Sequence, residues 1–375
     1  MPLRFHWSLS QVGDKFRRAN ATTEMKGLFS LEEQIAFCRA AEQNGIDSLL
    51  MAFGFTRPDP LVLSAALAMA TREIKFMVAV RPGVTSPTAF VQQINTLSAL
   101  SDGRVCINIV TGHSPHELGY YGDCLDHDQR YERTDEFLAV CNAFWRRNGE
   151  VNFKGKHYDI RNGKLNTPFV SRERTGPEIF LGGNSDLAEQ SAIRHAHCLW
   201  RFAEAPASLG PRVARILARG KEVGLLVSIL ARPTREEALR DAYSMIAALS
   251  AKPEKFGKTF AERTDSVAYR STLRLAEESS SDWLTPWLWT GAIPYLGAPA
   301  IALVGSNEEI ASAIIEYKMA GISQFLFMGW PDLDEMNYFG REVLPIIRRE
   351  EREEREERKE RKSHQADGAL AIGGA

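Results

Sequence analysis

Cysteine is scarce in this chain. The 375 residues hold five (Cys38, Cys106, Cys124, Cys141, Cys198), an odd number with no C-x-x-C pair, set in or beside apolar segments. That pattern excludes a disulfide framework and a zinc knuckle, and a reducing, cytoplasmic setting is expected. No apolar run approaches the roughly 18 residues of a membrane span, and "MPLRFHWSLS" lacks the apolar core of a signal peptide. Charge of one sign is missing as well. A net charge of -2, with both signs spread along the chain, leaves no basic face for nucleic acid or an anionic membrane. No G-x-S-x-G elbow and no ordered Ser, His, Asp set supports a hydrolase. Small molecules are the expected partners.

With 44% hydrophobic and 25% charged residues, the chain has the balance of a soluble protein with a sizeable core, in one large or two ordinary domains. Eight short apolar runs stand out: 3–9, 47–51, 74–80, 104–110, 178–182, 197–202, 225–231 and 323–329. Amphipathic helical stretches lie between them. "SLEEQIAFCRAAEQNG" opens on Ser30 with Glu33 three residues on and closes at Gly45; "GSNEEIASAIIEYKMAG" repeats the pattern with Ser306, Glu309 and Gly321. Eight strand-then-helix units predict an α/β fold, a closed parallel (β/α)8 barrel, with an open doubly wound sheet as the alternative.

Two segments are too long for simple loops: 111–127 and about 251–300. Both follow the C-terminal end of a predicted strand, the face of a barrel where active sites sit. In the second, Trp283, Trp287 and Trp289 either cap a pocket or pack on the barrel or on another subunit. The barrel is expected to span 1–349. Residues 350–375 read as a solvated extension, helical through i,i+4 Glu and Arg pairs, then a disordered tail.

The stretch "RVCINIVTGHSPHELG" (104–119) raises the functional question. Val105, Ile107 and Ile109 suit a strand buried on both faces, yet Asn108 interrupts it and His113, His116 and Glu117 crowd its end. His113 and His116 are three apart, but Pro115 disfavours helix at Ser114 and no third ligand stands at a recognisable spacing, so no metal is expected. In "GGNSD", Gly182 and Gly183 permit close backbone approach and Ser185 opens a helix whose free N–H groups favour a phosphate.

"FMVAVRPGVTSPTAFVQQINTLSALSDGRVCINIVTG", "DHDQRYERTDEF", "FKGKHYDIRNGKL", "IFLGGNSDLAEQSA", "AERTDSV" and "IALVGSNEEIASAIIEYKMAGISQFLFMGWPDLDE" together resemble the bacterial luciferase-like flavin monooxygenases, and most of all their alkanesulfonate branch. The similarity runs in order from about residue 3 to 348. It implies a (β/α)8 barrel that takes reduced FMN from a separate flavin reductase, forms a flavin peroxide with O2 and oxygenates a small substrate, commonly as a homodimer or homotetramer. The positions it implies for the flavin are Met51, Ala52, Ala79 (with Val80), Asn108, Glu117, Arg130, Tyr131, Gly183 and Ser185. A deazaflavin-dependent reductase and a non-catalytic partner barrel are the alternatives within the superfamily.

The substrate side departs from the sulfonate pattern. Arg57 stands for a cysteine, Leu226 and Ser228 for an arginine and a histidine, Leu296 for an arginine, Trp330 for a tyrosine, Phe202 for a tryptophan and Val12 for a histidine. Losing two cations removes the charge-assisted bonds that a sulfonate taken from water requires. A bulkier, less charged organic substrate is expected in a pocket of Phe202, Leu226, Leu296 and Arg201. Ser228, His113, Arg57 and Trp330 are the candidates at the reacting centre.

Overall fold

Short runs that are apolar on both faces become parallel strands when crossover helices cover one face and the strands close around the other. The computed structural model describes residues 2–9, 30–55, 57–146, 149–250, 264–279, 281–328 and 333–357. Its strands are β1 (Arg4–Ser8), β2 (Ser48–Met51), β3 (Lys75–Val80), β4 (Val105–Ile109), β5 (Val151–Lys154), β6 (Asp159–Gly163), β7 (Glu178–Gly182), β8 (Cys198–Phe202), β9 (Glu222–Arg232), β10 (Leu288–Trp289), β11 (Ala302–Ser306) and β12 (Gln324–Phe327). Eight of them, in the order β1-β2-β3-β4-β7-β8-β9-β12, pair in parallel and close on β1. The closed (β/α)8 barrel is therefore present, each of the eight predicted runs supplies one of its strands, and the open sheet is excluded.

The helix signals act as expected. Ser306 and Glu309 form a reciprocal capping box (3.2 and 2.9 Å), and Gly321 takes φ +98° where a Cβ would stand 2.6 Å from Leu217. Three features are absent from the eight-run reading. β5 and β6 form a separate hairpin. β9 is eleven residues long, and its second half, Ser228–Arg232, pairs with β11 beyond the end of β12. β10 then pairs antiparallel with β11.

Alternation divides the core in two. Leu49, Phe76, Ile107, Ile179 and Leu199 face the helices, whereas Leu50, Met77, Ala79, Cys106, Phe180, Cys198, Trp200 and Leu326 fill the barrel. Phe180 and Trp200 stack at 5.3 Å, with His6 edge-on to both. Beneath them lies a polar floor. Arg4 donates to both oxygens of Glu178 (2.8 and 2.9 Å) and reaches Glu222 (3.2 Å). Gln324 Nε2 donates to Glu222 (2.9 Å), which leaves its Oε1 to accept from His6 Nε2 (2.8 Å) and fixes His6 Nδ1 as acceptor for Ser48 (2.7 Å).

Where the charged extension begins, residues 344–357 are helical. Its start is tied to the barrel rather than solvated, because buried Glu351 accepts from the Leu3 amide (2.8 Å) and Arg348 donates to the Leu3 carbonyl (2.9 Å).

Candidate active site

The candidate side chains gather at the C-terminal ends of β3, β4, β7 and β8. Ala79 pairs with Asn108 across β3 and β4, and Arg81, two residues on, returns to the same inward face. The chain then makes a short helix, Pro115–Tyr120, which starts because Ser114 caps the Glu117 amide (3.3 Å) and Pro115 is preset for a first helical position. Gly112 makes this possible: at φ +92°, a Cβ would stand 2.7 Å from Leu118. The helix brings Glu117 to Arg81 (3.1 Å). Phe53 and Tyr121 lie against the same guanidinium, their ring centres 4.8 and 5.4 Å away. Arg81 is only 3% exposed, and its Nε and Nη1, like Asn108 Oδ1, are buried with no hydrogen-bond partner among the described residues.

The second long segment folds over this corner. The helix Val267–Glu278, capped by Ser266, carries Tyr269, which stacks on His113 (5.0 Å, 13° between planes) and meets Phe202 edge-on (5.2 Å). Thr264 Oγ1 and the Asp265 amide donate to the His113 carbonyl (2.7 and 3.1 Å). Burial lowers the His113 pKa, and Arg81 and Arg130 add to that against the pull of Glu117 and Asp265, so the imidazole is neutral at pH 7. Burial pushes the Tyr269 phenol up to about 12, with Arg57 opposing the rise. The site thus presents neutral hydrogen-bonding rings beside two buried cations, Arg81 paired with Glu117 and Arg130 paired with Asp265.

A third element lies at the end of β7. Gly183 takes φ +156°, and a Cβ there would stand 2.5 Å from the Ala188 Cβ and 3.1 Å from the Tyr131 hydroxyl. Ser185 caps the helix Asp186–His195 by accepting from the Ala188 amide (3.2 Å). Asn184 donates to Ser271 (3.3 Å), which ties this turn to the helix that carries Tyr269, and its Oδ1 is buried without a partner among the described residues. A tight glycine turn, a helix N-terminus and a tyrosine hydroxyl form a cradle for an anion.

A sequence model of the luciferase-like monooxygenases matches residues 3–324. The chain belongs to that family. Solved structures agree in fold: an EDTA monooxygenase from Chelativorans sp. BNC1 (20% identity, 93% of this chain and 94% of that one, TM-score 0.73) and a long-chain alkane monooxygenase (19%, 93% and 92%, 0.68). So does a coenzyme F420-dependent tetrahydromethanopterin reductase from Methanopyrus kandleri (16%, 92% and 100%, 0.66).

In this luciferase-like monooxygenase the predicted residues separate into two groups. Ala79, Asn108, Glu117, His113 and Phe202 meet at the mouth, with Arg57 in the adjoining loop, and Tyr131, Gly183 and Ser185 meet at the cradle. The rest are placed elsewhere. Arg130 is buried and holds the two long segments together, donating to Thr111 O (3.1 Å), Leu125 O (2.9 Å) and Asp265 (2.6 Å). Arg201 alternates to the outside of β8, among Glu204, Arg212, Glu189 and Arg215. The Ser228 hydroxyl is buried and donates to Pro299 O (2.9 Å). Leu296 packs with Leu230, Trp289 and Ala302 in an outer cluster, away from Leu226. The Met51 side chain faces the outer core, which leaves only its backbone toward the mouth; Ala52 follows it, half-buried.

The tryptophans do not cap the mouth. Trp289 is fully buried in that same outer cluster with Trp283 against it, and Trp287 lies edge-on to Tyr317 at 5.2 Å. Trp330 and Val12 lie outside the described residues. Arg81, Phe53, Tyr121 and Tyr269 escaped the sequence reading. Arg81 had left a trace, a cation placed directly after an apolar strand; the aromatic residues had left none, because loops unrelated in sequence bring them in. Among the described residues no three His, Cys, Asp or Glu side chains gather as a metal site.

Proposed function

We propose that this enzyme is a two-component monooxygenase that uses reduced FMN and O2 to oxygenate a small organic substrate. The observation that carries the reading is the set of buried polar atoms at the mouth with no partner among the described residues, Asn108 Oδ1 and Arg81 Nε and Nη1, beside the Gly183–Ser185 cradle. A buried polar atom left unpaired costs about 1–3 kcal/mol, so such a set marks a place built for a polar ligand. A flavin mononucleotide has the matching parts, a phosphate for the cradle and a ring edge of alternating carbonyl and N–H groups for Asn108 and Arg81. Ser185, Gly183 and Tyr131 would hold the phosphate end. Asn108 and Arg81 would hold the ring, over Ala79.

When bound, reduced flavin supplies the oxygen-activating chemistry. The chain's own residues orient the ligands and exclude water: Phe202, Tyr269 and His113 wall the site, and His113, neutral, can hydrogen-bond a reacting group without adding charge. With Leu226 beside the barrel interior where the resemblance implies an arginine, short alkanesulfonates are poor substrates. A freely diffusing flavin reductase and a cytoplasmic setting belong to the same proposal, as does a homodimer or homotetramer. The uncharged helix Pro60–Met69 leaves Val62 and Met69 about two-thirds exposed, an apolar face for a second copy.

The test is anaerobic titration with oxidised FMN, reduced FMN and F420, followed by O2 and a panel of aminopolycarboxylates, long-chain alkanes and alkanesulfonates. Reduced FMN should bind, and Ser185→Ala should weaken it about tenfold through loss of a bond worth about 1–2 kcal/mol. Binding of F420 with no affinity for FMN would transfer the enzyme to the deazaflavin reductases. Binding of neither would make it a non-catalytic barrel.

A further inference from the structure

Arg81 and Asn108 call for more than a ligand that is merely polar. They stand on adjacent strands, face inward one step apart along the same face, and carry opposite unmet needs: Arg81 offers N–H groups at Nε and Nη1, while Asn108 Oδ1 requires a donor. A simple carboxylate or sulfonate would pair with Arg81 and leave Asn108 Oδ1 unsatisfied, because it has no N–H to give. An O=C–N–H edge meets both. The rest of the guanidinium is already engaged, with Nη2 on Glu117 and its face against the Phe53 and Tyr121 rings, so the unpaired edge is held in one direction and cannot swing to another partner.

From this geometry we infer that Arg81 is a redox-selective residue: together with Asn108 it reads the pyrimidine edge of a flavin, and its fixed positive edge favours the reduced, anionic ring over the oxidised, neutral one. The inference rests on the flavin reading above and deepens it. Both oxidation states present C2=O and N3–H, but reduction places negative charge at N1 and O2, where a buried cation acts most strongly. An enzyme biased in this way takes up flavin that arrives already reduced and releases it once oxidised.

The measurement is the ratio of dissociation constants for oxidised and reduced FMN, taken anaerobically by fluorescence quenching, together with the midpoint potential of bound FMN. Wild-type protein should favour reduced FMN about a hundredfold, which raises the two-electron midpoint by about 59 mV (29.6 mV per tenfold). Arg81→Met should bring that ratio to within a few-fold of one, largely by weakening the reduced complex. Arg81→Lys, which keeps the charge and loses the fork, should retain most of the ratio. Asn108→Leu should weaken both states alike. Should Arg81→Met fail to fold, the wild-type midpoint and the Arg81→Lys ratio decide: a midpoint equal to that of free FMN overturns the inference. So does a folded Arg81→Met whose ratio matches wild type, which would return Arg81 to the substrate. A wild-type protein that binds no flavin rejects the function itself, a result distinct from either.

Discussion

The two ends of the barrel treat buried polar groups in opposite ways. At the floor, Arg4, Glu178, Glu222, Gln324, His6 and Ser48 form a continuous set of hydrogen bonds between 2.7 and 3.2 Å, and none of these side chains has a buried polar atom without a partner among the described residues. At the mouth, Arg81, Asn108, Asn184 and Asp265 each keep at least one buried atom unpaired among the described residues. Each such atom lowers stability, and others occur elsewhere, as at Trp7 and Ser191; what marks the mouth is that an unpaired donor and an unpaired acceptor stand side by side there on β3 and β4. The two ends of one closed sheet thus differ in whether neighbouring polar side chains satisfy one another among the described residues.

The floor is the more costly end to disturb. Arg4→Met leaves Glu178 and Glu222 facing each other in a confined space without their cation. Removing one partner of a buried pair costs about 3–5 kcal/mol, and Arg4, a quarter exposed, belongs near the lower part of that range. A loss of about 3–4 kcal/mol in urea unfolding is expected. The flavin titration of whatever remains folded should be unchanged, because no floor residue reaches the mouth. A floor variant with full stability and lost flavin binding would erase the division between the two ends.

The floor also titrates, and its sign can be worked out. Burial lowers the His6 pKa to about 4 from an ordinary 6.5, and its neutral form is the one the Ser48 and Gln324 bonds require. As pH falls, the unfolded chain takes up the proton first. His6 therefore contributes its full stability above about 6.5, and the contribution is lost as pH falls toward 4. The 2.5-unit difference corresponds to about 3 kcal/mol. His113 and His197, also lowered by burial, add slope of the same sign. Urea midpoints at pH 7.5 and 4.5 measure the whole effect. His6→Gln should flatten the curve by the His6 share, and an unchanged slope would mean that His6 takes up its proton at the same pH in the folded and the unfolded chain.

The barrel was legible in the sequence because its signal is local: eight apolar runs separated by helical stretches, two of which, after Ser30 and after Ser306, open on a serine cap and stop at a glycine. Pairing across β9 was not. Ser228 sits in a run that reads as one strand, yet the strand changes partner there from β12 to β11, and nothing in "LLVSILA" announces the change. The same limit governs the site. Asn108, Glu117, Gly183 and Ser185 were picked out at strand ends and glycine turns, whose chemistry is set by neighbours in sequence, and the structure places them at the mouth and the cradle. Arg130 was assigned to the flavin by the resemblance, but its ion-pair partner Asp265 comes from a segment 135 residues away, which no local signal announces. Arg201 and Leu296 failed for a related reason: which face of an element a residue occupies is decided by register, and a resemblance position by position does not carry register.

Ser228 allows the smallest and most discriminating measurement. If it belonged to the reacting centre, Ser228→Ala would depress turnover or substrate binding. The structure gives the hydroxyl another use, a 2.9 Å bond to the Pro299 carbonyl that fastens the segment before β11 to the middle of β9. Its side chain is fully buried, so alanine removes one bond, leaves one carbonyl without that partner and opens little space. A loss of about 1 kcal/mol in stability is expected, with the affinity for reduced FMN and the rate of oxygen consumption unchanged. Turnover is the deciding readout, since the stability loss follows from either role. A drop of tenfold or more at constant flavin affinity would place Ser228 back beside the reacting atoms and would require the segment 298–301 to move aside during the reaction.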